Sequence, residues 1–194
     1  MIVQQKKFGN EHTFDFGENE VNFAFKDRSG SGDVDIDYGA IPEKTSTQIE
    51  RNEWLRNVGL LWLLIGGFQV TFALLNDRPL SGTGFWVLVG SICLAAYKWR
   101  QVRYTVFNTD QGSLFIIDDA KHDQIVEELV SRKRERLLQL YGEIDPSNDA
   151  ARETEKFRWL HKRGVISDDV LSSRLAEIQR IGGGRNSDSG DVLH

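Results

Sequence analysis

Residues 58–75, VGLLWLLIGGFQVTFALL, form an uncharged run inside an otherwise polar chain. As a helix this run would reach about 27 Å, close to the ~30 Å hydrocarbon core of a bilayer. A second uncharged run, 80–97 (LSGTGFWVLVGSICLAAY), follows after Asn76-Asp77-Arg78-Pro79, a turn signal whose proline would not continue the first helix. The second run opens on Ser81, Gly82, Thr83 and Gly84 and is the weaker helix former. The alternative, a buried hairpin in a soluble core, is disfavoured because both segments are apolar around their whole circumference. Trp54, Trp62, Trp86, Tyr97 and Trp99 also gather mostly near the ends, where aromatic belts sit. The expectation is a transmembrane hairpin over 55–99, with spans at 58–75 and 80–97.

Orientation follows from the flanks. Arg51 and Arg56 precede the first run and Lys98, Arg100 and Arg103 follow the second, whereas the connecting turn holds Arg78 beside Asp77. The positive-inside rule places both termini in the cytoplasm of a bacterial inner membrane. The N-terminus, MIVQQKKFGNEHTFDF, lacks the apolar run of about 7–15 residues that a secretory signal needs, so insertion is expected from the internal segments. Small residues at Gly66, Gly67, Thr71, Gly90, Ser91 and Ala95 offer close-packing surfaces, with pairs four apart at Gly67/Thr71 and Ser91/Ala95. Gln69, polar at mid-depth, suits an interhelical hydrogen bond or, in an oligomer, a pore lining.

The chain carries 24 basic and 29 acidic side chains, a net charge of -5. Residues 1–50 hold five basic and ten acidic groups and so account for the whole deficit. Counterion release needs a basic face, so a general nucleic-acid binder is disfavoured. Cys93, the single cysteine, excludes an internal disulfide. Asp33, Asp35 and Asp37 have the spacing that opens a calcium loop, but Tyr38 and Lys44 stand where its glycine and bidentate glutamate belong. A solvated strand face explains them better. His12, His122, His161 and His194 are scattered singly and read as surface residues, and no phosphate loop, nucleophile elbow or Cys-His arrangement occurs. No catalytic residue, metal or cofactor is expected, and the chain reads as non-enzymatic.

Alternation in HTFDFG, EVNFAFKD, GDVDIDYG and TSTQIERN predicts three or four strands before the hairpin. Residues 101–107 and 113–117 predict two more around Asn108-Thr109-Asp110-Gln111-Gly112, and a helix follows to about Tyr141. Arg132, Lys133, Arg134 and Arg136 on that helix, diluted by Glu127, Glu128 and Glu135, suit a solvated face or, with the flanking cations of the hairpin, contact with anionic headgroups. After Asp145-Pro146-Ser147-Asn148, a helix from Asp149 to Lys162 and another capped by Ser167 form a helical hairpin. Its apolar positions are Phe157, Leu160, Val165, Ile166, Leu171, Leu175 and Ile178.

Through FDFGENEVNFAF, IDYGAIP and YTVFNTDQGSLFIIDDAKHDQIVEELV, residues 12–141 resemble bacterial PH-like domain proteins with an inserted two-helix anchor. KFRWLHKRGVISDDVLSSRLAEI resembles the short C-terminal domain called SHOCT. The resemblances imply an α+β membrane protein with a split PH-like β domain, its strands at 1–54 and its remaining strands and capping helix at 100–142. A SHOCT-like hairpin at 143–181 and a disordered tail at 182–194 would complete it. They further imply an inner-membrane adaptor whose C-terminal hairpin mediates homo-oligomerisation or partner binding. The alternative function is a two-helix effector, of toxin or phage-defence type, that oligomerises and permeabilises the membrane.

Overall fold

The computed structural model describes residues 1–27, 29–82 and 84–188, with 182–188 described by their backbone alone. Four strands, β1 (Ile2–Lys7), β2 (Asn10–Phe16), β3 (Glu20–Lys26) and β4 (Ser31–Asp37), form an antiparallel sheet in chain order. Their alternation aims Val3, Phe14, Phe16, Val21, Phe23 and Ile36 into one core, while Asp33 and Asp35 face outward on β4. A short 3-10 turn at Tyr38–Ala40 then leads away from the sheet.

A second antiparallel sheet contains β5 (Ser46–Glu50), β6 (Val102–Asn108) and β7 (Ser113–Ile117). Between β5 and β6 lie α1 (Glu53–Leu75) and α2 (Phe85–Trp99), yet Glu50 faces Val102 in the ladder. The apolar hairpin is therefore inserted between two hydrogen-bonded neighbours. Helix α3 (His122–Tyr141) closes the core with Ile125 and Leu129 against Leu114 and Ile116 of β7 and the inner face of the first sheet.

The expected PH-like domain is not what forms. The two sheets are separate and open, with no backbone ladder between β4 and β5 or between β1 and β7. The turn at Tyr38–Ala40, followed by Pro42, takes the chain out of β4's plane before β5 begins, so a continuous sheet is interrupted there.

Side chains join what the backbone leaves apart. Gln5 of β1 donates from Nε2 to the Ile117 carbonyl at 2.7 Å and accepts the Ile117 N–H on Oε1 at 2.9 Å. The same amide nitrogen reaches Asp119 Oδ1 at 2.7 Å. His12 of β2 meets the Phe115 carbonyl through Nδ1 at 2.7 Å and stacks on Tyr104. Asn10 donates to Glu50 Oε2 at 2.8 Å and to the Tyr104 hydroxyl. His12, expected at the surface, is buried in this seam.

The expected pair of membrane-spanning helices is also corrected. Among the described residues one helix, α1, is long and apolar enough to cross a membrane. Helix α2 starts only at Phe85, because Pro79, Ser81, Gly82 and Gly84 stay outside it, and its 15 residues reach about 22 Å.

Helices α4 (Ala150–Lys162) and α5 (Asp168–Asp188) pair around a turn in which Gly164 adopts φ 68°. Phe157, Leu160, Val165, Ile166 and Ile178 form one core with Leu137 of α3, and Leu171 and Leu175 pack beside it. Because α3 completes this core, the hairpin is a continuation of the body, and the reading of it as a SHOCT-like domain is corrected. The backbone of α5 continues past the boundary expected at 182 as far as Asp188. The rest of the expected tail, 189–194, lies outside the described residues.

Two outcomes follow from the seam. Replacing Gln5 by Leu would leave the buried Ile117 N–H without its partner and should cost about 3 kcal/mol in a urea melt, whereas Gln4→Leu, an exposed neighbour, should cost little. Burial holds the His12 imidazole below its ordinary value, so the unfolded chain takes up that proton first as pH falls. Stability should accordingly decline below about pH 6.5, and His12→Leu should flatten that part of a stability-against-pH curve.

Candidate membrane interface

The apolar faces of α1 and α2 are largely uncovered. Only 17% of the most apolar window of α1, with a mean hydropathy of 2.0, is buried within the protein, which a core helix of a soluble fold would not tolerate. Leu64, Phe68 and Leu75 of α1 and Leu88 and Ile92 of α2 are all exposed.

Where the helices do meet, glycine sets the distance. A Cβ at Gly66 would fall 2.6 Å from the Val87 nitrogen, and one at Gly90 would fall 2.8 Å from the Gly59 carbonyl oxygen. Backbones this close require hydrogen at both positions. Trp62 and Trp86 stack across the pair with ring centroids 4.0 Å apart. The four-apart pairs singled out in the sequence face outward instead. Gly67 has open space beside it, while Thr71, Ser91 and Ala95 are exposed. The hydroxyls of Thr71 and Ser91 donate to the Gly67 and Val87 carbonyls of their own helices, each at 2.8 Å. Gln69 is half-buried on α1.

The end of the hairpin nearest the sheets is rich in cations and tryptophan. Trp54 and Trp99 are exposed there, next to Arg51, Arg56, Lys98, Arg100 and Arg103. Arg56 pairs with Glu53, and Arg103 lies 3.9 Å from Asp118. Arg51, Lys98 and Arg100 form no ion pair among the described residues. Arg51 and Arg100 line a cavity of about 190 Å³ with Phe8, Asn10, Glu50, Asn52 and Val102. The β1–β2 turn holds Phe8 at φ 51° and Gly9 at φ 98°, which sets the Phe8 ring under the Arg100 guanidinium at 5.7 Å. Beneath the cavity Tyr104 donates to Glu50 Oε2 at 2.6 Å, and burial, reinforced by that carboxylate, pushes its phenol well above the ordinary value. Asn52 caps α1 by accepting from the Leu55 N–H.

The other basic group, on α3, is engaged within the protein. Arg132 donates to the Gly17 carbonyl and to Glu128 and lies over Phe16 and Tyr38. Arg134 donates to the Val165 carbonyl at 2.8 Å. Arg136 binds Asp37 at 3.1 Å and Asn19 at 2.9 Å. Lys133 is buried. The three arginines bond α3 to its neighbours, and the sequence signal that could have shown Lys133 to be buried is its spacing in register with Ile125, Leu129 and Leu137.

No family model, curated protein or solved structure matches this chain. Among the described residues no cluster of His, Cys, Asp or Glu is arranged to hold a metal ion.

The glycine contacts separate two neighbouring substitutions. Gly66→Leu should cost the hairpin about 1–3 kcal/mol and weaken the near-ultraviolet circular dichroism of the Trp62–Trp86 stack. Gly67→Leu should leave that signal intact.

Proposed function

We propose that this protein is an inner-membrane-anchored interaction protein, held by its apolar hairpin, whose folded body serves as a cytoplasmic platform. The observation that carries the reading is the uncovered apolar surface of α1 and α2, bounded at the body end by Trp54, Trp99 and the cations Arg51, Lys98 and Arg100, which form no ion pair among the described residues. In this reading α1 is the helix of membrane-spanning length and anchors the hairpin, with α2 packed against it. The pairing of β5 with β6 brings both ends of the hairpin beside the same sheet, which supports a reading in which the body and both termini share one side. The basic residues at that end favour the cytoplasmic leaflet, which carries anionic lipid. In this reading the helical hairpin formed by α4 and α5 serves self-association or partner binding through its outer face, since its apolar positions are taken up by the core shared with Leu137.

The test begins with cell membranes washed in alkaline carbonate. The protein should stay in the pellet, and reporter domains fused to either terminus should be active only as cytoplasmic reporters. Release into the supernatant, or an externally active reporter, would overturn the reading. Removing 143–194 should leave insertion intact while reducing the oligomer or partner complex seen after mild detergent extraction. Expression should not depolarise the membrane.

A further inference from the structure

Helix α3 presents Ile125, Leu129, Lys133 and Leu137 at successive intervals of four, and all four are buried. Ile125 and Leu129 belong to the core between the sheets, and Leu137 belongs to the core of the helical hairpin. Lys133 occupies the position between them, where the stripe calls for an aliphatic residue, and only 8% of it is exposed. Since no buried side-chain nitrogen among the described residues lacks a partner, the Lys133 stem fills the stripe while its unpartnered amine stays accessible.

A cavity of about 290 Å³ opens at this point. Its apolar wall includes Ile41, Phe107, Val130 and Val165, and its polar groups are Glu43, Lys133, Arg134 and Arg163. Arg134 is spent on the Val165 carbonyl, and Arg163 lies 3.5 Å from Glu43 and over the Trp159 ring. Lys133 forms neither a hydrogen bond nor an ion pair among the described residues. Lys133 is thus the cation of this cavity with neither a carboxylate nor a carbonyl partner among the described residues, and it stands against an apolar wall. Burial pulls the Lys133 amine below the ordinary lysine value, opposed by Glu43 and reinforced by Arg163.

We propose that this cavity binds a small organic monocarboxylate with an apolar body, its carboxylate paired with Lys133 Nζ. The apolar wall suits an organic body, which inorganic phosphate lacks, and Lys133 Nζ is the cation left without an acceptor to meet a carboxylate. The volume suits a molecule of about ten non-hydrogen atoms, at the lower end of ligand pockets. Its walls come from the segment 41–43, from α3 and from the turn 163–165, so an occupant would brace the helical hairpin against the sheets. The site stands independently of membrane anchoring.

The full-length protein in lipid nanodiscs is titrated with phenylacetate, with phenethylamine and inorganic phosphate as parallel probes. Binding is read by calorimetry, and protection of Lys133 from an amine-acylating ester is read by peptide mass spectrometry. Phenylacetate should bind saturably and slow Lys133 acylation, and the other two probes should do neither. Lys133→Met should weaken phenylacetate binding at least about tenfold, the scale of a lost charged hydrogen bond, and Lys133→Arg should restore part of it. Absence of saturable phenylacetate binding, unchanged affinity in the Met variant, or equal protection by phenethylamine or phosphate would each overturn the proposal. Because acylation is measured on the unaltered protein, a variant that misfolds does not remove the test.

Discussion

The body of this protein depends on the pair of hydrogen bonds between the Gln5 amide and the backbone of Ile117. An open sheet ends in donors and acceptors that must find partners once they are buried. At the meeting of β1 and β7 a primary amide supplies one donor and one acceptor in the arrangement a neighbouring strand would offer. Asn10 and His12 repeat the solution further along the seam, reaching Glu50 and the Phe115 carbonyl. The sheets can then share an apolar core although no ladder connects them. The cost is sensitivity, since each of these polar groups is buried and has few alternative partners.

A different constraint rules the inserted hairpin. There the helices approach through Gly59, Gly66 and Gly90, and their outward faces carry aliphatic and aromatic side chains that the body does not cover. Packing in this part comes from close backbone contact and aromatic stacking, the terms that retain value when the surroundings are themselves apolar. The body and the hairpin thus follow opposite rules within one chain, and β5 and β6 form the boundary between them.

Much of the arrangement could be read from local pattern. The alternation in β2, β3 and β4, the outward Asp33 and Asp35, and the helix capped by Asp149 all sit where the residues indicate. All seven apolar positions of the helical hairpin come together as well. Strand β1 escaped notice because its inward positions are Val3 and Gln5, and an inward glutamine hides the apolar alternation. The outward-facing and helix-facing glycines are adjacent in sequence, and composition does not distinguish Gly66 from Gly67; only the helix rotation does. The division into two sheets was equally hidden, because strand count does not reveal which edges pair. The basic group on α3 misled through its composition, since four cations suggest a solvated surface until the acceptors of the three arginines in other elements and the burial of Lys133 are known.

The place of the hairpin in the ladder carries a consequence for assembly. Strands β1 to β4 form a meander of nearest neighbours and can close as soon as they are made. Strand β5 has its partner β6 beyond both apolar helices, so their pairing waits until that whole segment has been synthesised and its ends brought side by side. The first sheet must therefore hold an unfinished core during this interval, with Phe14 and Phe23 awaiting Leu114 and Ile116. Completion of the body reports that the hairpin has closed, and a chain whose helices fail to meet keeps its apolar interior open to the cell's folding and degradation machinery.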